Sequence, residues 1–74
     1  MPTKGCIMQG LGERIKELRD EKGVSQAVLA VNIGATQKAV DFWEKNVNEP
    51  KASYIFALSK YFGVTADYLL GLEK

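Results

Sequence analysis

Apolar residues recur along this chain at the spacing of an α-helix. Leu11, Ile15 and Leu18 fall at positions i, i+4 and i+7, and charged residues occupy most of the positions between them. A second stripe, with intervals of three and seven, runs through residues 51–62. These intervals place side chains on one helical face, whereas a half-buried strand would alternate residue by residue. No alternating stretch is visible in the sequence, which therefore predicts an all-α fold.

Glycines and hydroxyl side chains divide the pattern into short helices. Ser25, Thr36 and Thr65 stand where an N-cap oxygen would accept from the first-turn amides. A glycine follows each of four segments, as expected of residues that end a helix in the left-handed conformation. Pro50 prevents the third helix from continuing into the fourth. The predicted helices are 11–22, 26–33, 36–45 counted with its cap Thr36, 51–62 and 66–70.

Composition narrows the class of protein. The 74 residues suffice for one small domain, assigned to 11–74, preceded by a flexible tail at 1–10 that carries Cys6, the single cysteine. With no histidine, the chain lacks the ligand clusters of a structural zinc site, and we expect neither metal nor cofactor. No apolar run approaches the roughly 20 residues of a membrane span. No signal peptide is visible either, so the sequence predicts a cytoplasmic protein without a membrane partner.

The segment 25–45 is the most informative part of the chain. A short helix capped by Ser25 is followed by a tight turn at Gly34 and then by a second helix capped by Thr36. Two helices joined this closely cross steeply and form a helix-turn-helix unit. Its second helix can project from the body of a domain into the major groove of DNA. The corner alone leaves DNA binding open, because helical bundles also contain tight corners.

Other segments with ordered spacing accompany this corner. They are LGERIKELRDEKGVSQ from residue 11, LA at 29–30, IGAT at 33–36, WE at 43–44, Pro50, and LSKYFGVTADYLLG at 58–71. Together they resemble the Cro and phage-repressor type of helix-turn-helix family, found among bacterial and phage transcription regulators. The resemblance runs from Leu11 to Gly71. It implies a compact five-helix, lambda-repressor-like domain that binds operator DNA as a dimer and represses transcription.

The resemblance assigns roles to residues on the two motif helices. Gln26 matches a position that touches phosphate, while Gln37 and Lys38 match positions that read bases at the start of the recognition helix. Gln is suited to adenine, and Lys to the acceptors of guanine. Thr36 is expected to cap this helix and to meet a phosphate. The alternative for Gln37 and Lys38 is a solvated face without a partner.

Phe42 and Trp43 are adjacent, so a helix points them about 100° apart. Trp43 matches an inward position and is assigned to the core. Phe42 is then predicted to face outward, either against a thymine methyl group or in a protein interface. The loop that follows contains few basic residues, so contact with the DNA backbone falls to Lys45, Asn46 and Asn48.

Charged residues also bear on this interpretation. By resemblance, Arg19 and Glu44 match a structural ion pair between the first and third helices, and they are not expected to read DNA. Asp41 puts a negative charge beside the predicted reading face, where phosphates would repel it. It could accept a hydrogen bond from a cytosine amino group or, more simply, be offset by Lys38 or Lys45. The net charge of only +1 also lowers the expected phosphate-driven affinity.

Aromatic and aliphatic residues near the C-terminus exceed what one thin core can hide. By resemblance, residues 64–72 supply a homodimer contact. The leading hypothesis is therefore a sequence-specific regulator of double-stranded DNA. The alternative is a protein-interaction module on the same fold, which the near-neutral charge and Phe42 would suit. The sequence shows no nucleophile with a base and no glycine-rich phosphate loop, so we do not expect an enzyme.

Overall fold

The computed structural model describes residues 10–72 of the chain, and over this range it contains five α-helices and no strand. Their positions confirm the all-α prediction. The first, second and fifth helices begin and end at the predicted residues, and the third and fourth differ from the prediction by one residue at one end. The helices are α1 (Leu11–Lys22), α2 (Gln26–Ile33), α3 (Gln37–Glu44), α4 (Ala52–Phe62) and α5 (Ala66–Leu70).

The predicted N-caps explain where three of these helices start. The Ser25 hydroxyl accepts from the Val28 amide at 3.1 Å. The Thr36 hydroxyl accepts in the same way from the Ala39 amide at 3.0 Å. Thr65 does the same for α5. Each bond satisfies an amide that has no acceptor within the helix.

Two helix ends differ from the prediction by one residue. Lys45 is the C-cap of α3 and not part of it, because the next residue, Asn46, turns the chain with a φ of 60°. Lys51 is the N-cap of α4 and has extended backbone, so that helix begins at Ala52. Both differences concern the connection between α3 and α4.

A single core holds the helices together. Its largest member is Trp43, whose side chain is 4% exposed and whose ring centroid lies 5.2 Å from that of Tyr54. Burial of this apolar surface is the main stabilising contribution in so small a domain. The buried apolar residues are Leu11, Ile15, Leu29, Ala30, Ile33, Val40, Trp43, Ile55, Leu58 and Leu69.

The packing of the helices places α3 between α1 and α2. Helix α3 contacts both α1 and α2, while α5 lies against α1 and α4. The Arg14 guanidinium contributes to the second arrangement by donating to the Leu69 carbonyl at 3.4 Å, near the C-terminal end of α5. Helix α3 is therefore held along its inner face and leaves its outer face toward solvent.

The prediction of a flexible tail over residues 1–10 falls almost wholly outside the described residues. Gly10 is within them. It precedes α1 with a φ of 80°, and its carbonyl accepts from the Arg14 amide at 2.9 Å. None of the five helices combines the length and the apolar character that crossing a bilayer requires. Across residues 10–72, no group of three potential metal ligands comes together.

Candidate nucleic-acid interface

The turn between α2 and α3 sets the direction of the third helix. Gly34 ends α2 with a φ of 75°, a conformation that costs glycine little. The Ala35 amide donates back to the Ala30 carbonyl at 2.9 Å. The hydroxyl of Tyr54, a residue of α4, donates to the Gly34 carbonyl at 3.4 Å. The corner is thus fixed by backbone geometry and by α4.

Helix α3 divides into an inner and an outer face. Val40 and Trp43 are buried in the core, as predicted. Thr36, Gln37 and Lys38 are exposed at the N-terminal end of the helix. An exposed polar helix start of this kind, on a helix anchored by its opposite face, has the geometry needed to enter the major groove.

Phe42 occupies a position between the two faces. It is half-buried and lines an open groove of about 430 Å³ with Trp43 and Tyr54. The Lys38 ammonium lies 5.8 Å from the centroid of its ring, within the range of a cation–π contact. The prediction that Phe42 faces outward therefore needs correction. Its ring lies between Lys38 and the groove, so only part of the ring surface is exposed to solvent.

Arg19 and Glu44 form the structural ion pair between α1 and α3. Arg19 Nε donates to Glu44 Oε2 at 2.7 Å, and Nη2 donates to Oε1 at 3.1 Å. Their side chains are only 13% and 5% exposed. The third guanidinium nitrogen, Nη1, donates to the Val24 carbonyl at 3.0 Å. The hydrogen bond to Glu44 is the main cause of a raised Arg19 pKa, which desolvation partly opposes.

Gln26 extends this pair into a network that sequence reasoning did not foresee. Its Nε2 donates to Glu44 Oε1 at 3.0 Å and to Asp41 Oδ1 at 3.3 Å. Asp41 also pairs with Lys45, at 3.0 Å between Oδ2 and Nζ. The hydrogen bond from Lys45, followed by that from Gln26, lowers the Asp41 pKa. Asp41 is thus offset by Lys45, one of the two lysines considered for that role.

The connection after α3 is also tied to the body of the domain. Asn46 Nδ2 donates to the Glu13 carboxylate at 3.3 Å, which links this loop to α1. Asn48 is exposed and lines the same groove as Phe42. Lys45 is 65% exposed despite its pairing with Asp41, so its ammonium is accessible to solvent.

Apart from Phe42, which is half-buried, the predicted DNA-binding residues fall into two groups in this structure. Thr36, Gln37, Lys38 and Asn48 are exposed near the start of α3 and the groove beside it. Gln26, Lys45 and Asn46 use side-chain donors within the protein. The pairing of Lys45 with Asp41 follows the i, i+4 spacing of a helix and was expected. The partners of Gln26 and Asn46 lie 15 or more positions away and follow no helical period, so the sequence carried no signal for them.

Comparison with known proteins places this arrangement among DNA-binding regulators. Repressor protein C2 of Salmonella phage P22 is 37% identical over 62 residues, which cover 84% of this chain and 29% of the repressor. The HTH-type transcriptional regulator ImmR of Bacillus subtilis is 30% identical over 64 residues, covering 86% of this chain and 50% of that protein. The chain spans half or less of the length of these two curated relatives.

Solved structures agree with the sequence relatives. The phage P22 repressor bound to a synthetic operator superposes with a TM-score of 0.81 at 35% identity, covering 85% of this chain and 96% of that one. The N-terminal DNA-binding domain of SinR from Bacillus subtilis gives a TM-score of 0.78 at 31% identity, with 82% and 90% covered. A helix-turn-helix family model matches residues 15–69, which include all five helices or parts of them. The chain therefore belongs to the helix-turn-helix family, in the branch that resembles the phage repressors.

Proposed function

We propose that this protein is a sequence-specific transcription regulator, acting as a repressor, that inserts α3 into the major groove of double-stranded DNA. The observation that carries the proposal is the exposed start of α3, where Gln37 and Lys38 project from a helix whose other face is buried. The structural likeness to a repressor solved in complex with a synthetic operator supports DNA as the ligand. Occupying an operator requires no chemical step, so neither enzymatic activity nor a cofactor is part of the proposal. The cytoplasm is the compartment in which it would act.

The chemistry of α3 suits recognition of base edges. The Gln37 amide can form two hydrogen bonds with adenine, and the Lys38 ammonium can donate to O6 and N7 of guanine. The partly exposed Phe42 ring, one turn further along, is suited to a thymine methyl group. These three residues are the proposed source of sequence preference.

Backbone contacts would fix the helix in the groove. The hydroxyl of Thr36 is exposed beside the recognition positions and would meet a phosphate. The first-turn amides of α2, beginning at Gln26, have no acceptor within that helix and suit a second phosphate. Lys45, Asn46 and Asn48 would contribute from the connection after α3. Such contacts position the protein without reading sequence.

Exposed apolar residues near the C-terminus support a homodimer. Phe56 is 65% and Leu72 66% exposed, while Tyr68 is 38% exposed. An open groove of about 360 Å³ between α4 and α5 is lined by Ile55, Phe56 and Leu70 among others. Two copies paired here would present two recognition helices to half-sites about one turn, roughly 10 base pairs, apart.

Selection from a randomised duplex DNA pool at near-physiological salt, followed by sequencing, tests the proposal. We expect enrichment of a pseudo-palindrome with half-sites about one turn apart. If the folded protein enriches no sequence, the proposal is overturned.

A protein-interaction module on the same fold is the second candidate. The net charge of +1 and the exposed Val31, at 80%, favour it. This reading predicts no salt-dependent DNA binding and loss of a protein partner when Phe42 is replaced by Ala. The same selection experiment separates the two, because only the regulator enriches a DNA sequence.

A further inference from the structure

Asp41 presents a problem for any DNA-binding role of α3. On α3, Lys38 and Phe42 lie to one side of Asp41, and the body of the protein lies to the other side. The Asp41 side chain is 31% exposed. A free carboxylate at this place would repel the phosphates that flank the major groove. The structure shows what holds it: Lys45 from the C-cap of the same helix and Gln26 from α2.

The orientation of the Gln26 amide follows from its neighbours. Carboxylate oxygens only accept hydrogen bonds, so the side-chain nitrogen and not the oxygen must face Asp41 and Glu44. That nitrogen carries two hydrogens, and two carboxylates lie within 3.3 Å of it. Both donors are thus used inside the protein. A phosphate bound by this side chain would have to displace one of them.

The two carboxylates do not depend on Gln26 equally. Glu44 also receives two hydrogen bonds from Arg19, and its side chain is only 5% exposed. Asp41 has Lys45 as its other partner, and the Lys45 side chain is 65% exposed. An exposed lysine pair is weak and is screened by salt. Loss of the Gln26 amide would therefore affect Asp41 more than Glu44.

We infer that the Gln26 side chain is a positioning residue that bridges α2 to α3 and holds the Asp41 carboxylate away from the DNA backbone. The inference deepens the proposed function and rests on it. It gives the Gln26 side chain a different role from the phosphate contact that the family resemblance implied. The main-chain amides at the start of α2 keep their proposed phosphate contact.

A double-mutant cycle between Gln26 and Asp41 tests the inference. Gln26→Met keeps the side-chain length and removes both donors. On the selected operator, Q26M is expected to lower affinity about threefold to tenfold, because a like charge is released near phosphates. Adding Asp41→Asn should restore most of that loss. A loss in Q26M that D41N leaves unchanged would indicate a direct phosphate contact and would overturn the inference.

A matched control separates this role from simple stabilisation. Asn32→Met serves here, since Asn32 lies on the same helix and its amide donates to the Val28 carbonyl at 2.8 Å. It should change affinity little. Equal losses of affinity in Q26M and N32M would contradict the positioning role.

A measurement without DNA distinguishes failure of the inference from failure of the proposed function. In an NMR titration, Q26M should raise the pKa of Asp41 toward its ordinary value, while N32M should not. Within residues 10–72, Lys45 and Gln26 are the polar groups that contact this carboxyl, and Gln26 also contacts Glu44 of the Arg19–Glu44 pair. An unchanged Asp41 pKa in Q26M would overturn the inference even if no DNA sequence had been found. Conversely, a raised pKa in a protein that enriches no operator would reject only the DNA-binding role.

Discussion

At the scale of single residues, Lys38 is expected to contribute both to sequence preference and to electrostatic attraction for DNA. Its ammonium is exposed and lies over the Phe42 ring at 5.8 Å. We expect Lys38→Met to weaken binding to the selected operator by about 1–3 kcal/mol and to relax preference at one base pair per half-site. Competition binding against operators with each single-base change measures both effects. If Lys38 touched only phosphate, affinity would fall equally for all sequences.

A second single-residue prediction concerns Glu44, whose role is structural. Its carboxylate joins Arg19 and Gln26, and it is almost fully buried. Glu44→Ala should lower the free energy of unfolding by about 3 kcal/mol, because it leaves the Arg19 guanidinium without its main acceptor in a poorly solvated place. Urea denaturation gives the value. The double variant R19M/E44M should lose less than E44A alone, since it leaves no unpaired charge; a larger loss would contradict this account.

The lowered pKa of Asp41 predicts a pH dependence of stability. A carboxyl whose pKa is lower in the folded state contributes stability above its unfolded pKa of about 3.9. That contribution is lost as pH falls through the folded-state value. The wild-type protein should therefore lose part of its stability below about pH 4, a loss that D41N would not share. Thermal unfolding from pH 6 to pH 2 compares them, and parallel curves would show that the Lys45 and Gln26 contacts contribute nothing.

At the scale of elements, the crossing of α1 and α3 depends on Gly12. A Cβ at this position would overlap the Trp43 carbonyl oxygen and would approach the Glu44 carbonyl oxygen to 2.8 Å. Both are backbone atoms at the end of α3, so neither can move without moving the helix. Gly12→Ala should therefore destabilise the domain by about 1–3 kcal/mol through overpacking.

The same substitution should also displace α3 and weaken operator binding. Glu17→Ala, on the exposed part of α1, serves as the control. Thermal unfolding and operator affinity should both fall for G12A and stay close to wild type for E17A. A G12A protein as stable as its parent would show that the two helices separate more easily than their packing suggests.

Local signals account for how well these elements could be predicted. Ser25, Thr36 and Thr65 form the expected caps, and Trp43 lies in the core as the family resemblance implied. Helix ends are set by neighbouring residues, so a single sequence reveals them.

The contacts within the candidate site could be predicted less well from the sequence. The contacts of Gln26 with α3 and of Asn46 with α1 join distant positions. The partial burial of Phe42 depends on the groove that Trp43 and Tyr54 form. Such features require the angles between helices, which neither periodicity nor capping residues encode.

At the scale of the whole molecule, the proposed function predicts little affinity of one copy for DNA, because the net charge is +1 and one copy would insert a single helix. Pairing two copies makes the second half-site contact intramolecular and multiplies the affinity without adding a contact. The exposed Phe56, beside the groove between α4 and α5, is the side chain best placed to be covered in such a pair. Because Phe56 is exposed to solvent in the single copy, replacing it should not damage the core.

Phe56→Ser should therefore shift the protein toward the monomer without lowering its melting temperature. Val31→Ser is the matched control, because Val31 is 80% exposed on α2 and does not line that groove. Sedimentation equilibrium measures the assembly state of both variants, and binding to full and half operators measures the consequence. F56S should lose roughly a hundredfold in affinity for the full operator but keep its affinity for a half-site. If F56S remains dimeric, or loses affinity equally for both DNAs, the two copies must meet through another surface, and the spacing of the half-sites would then have to be explained from that surface.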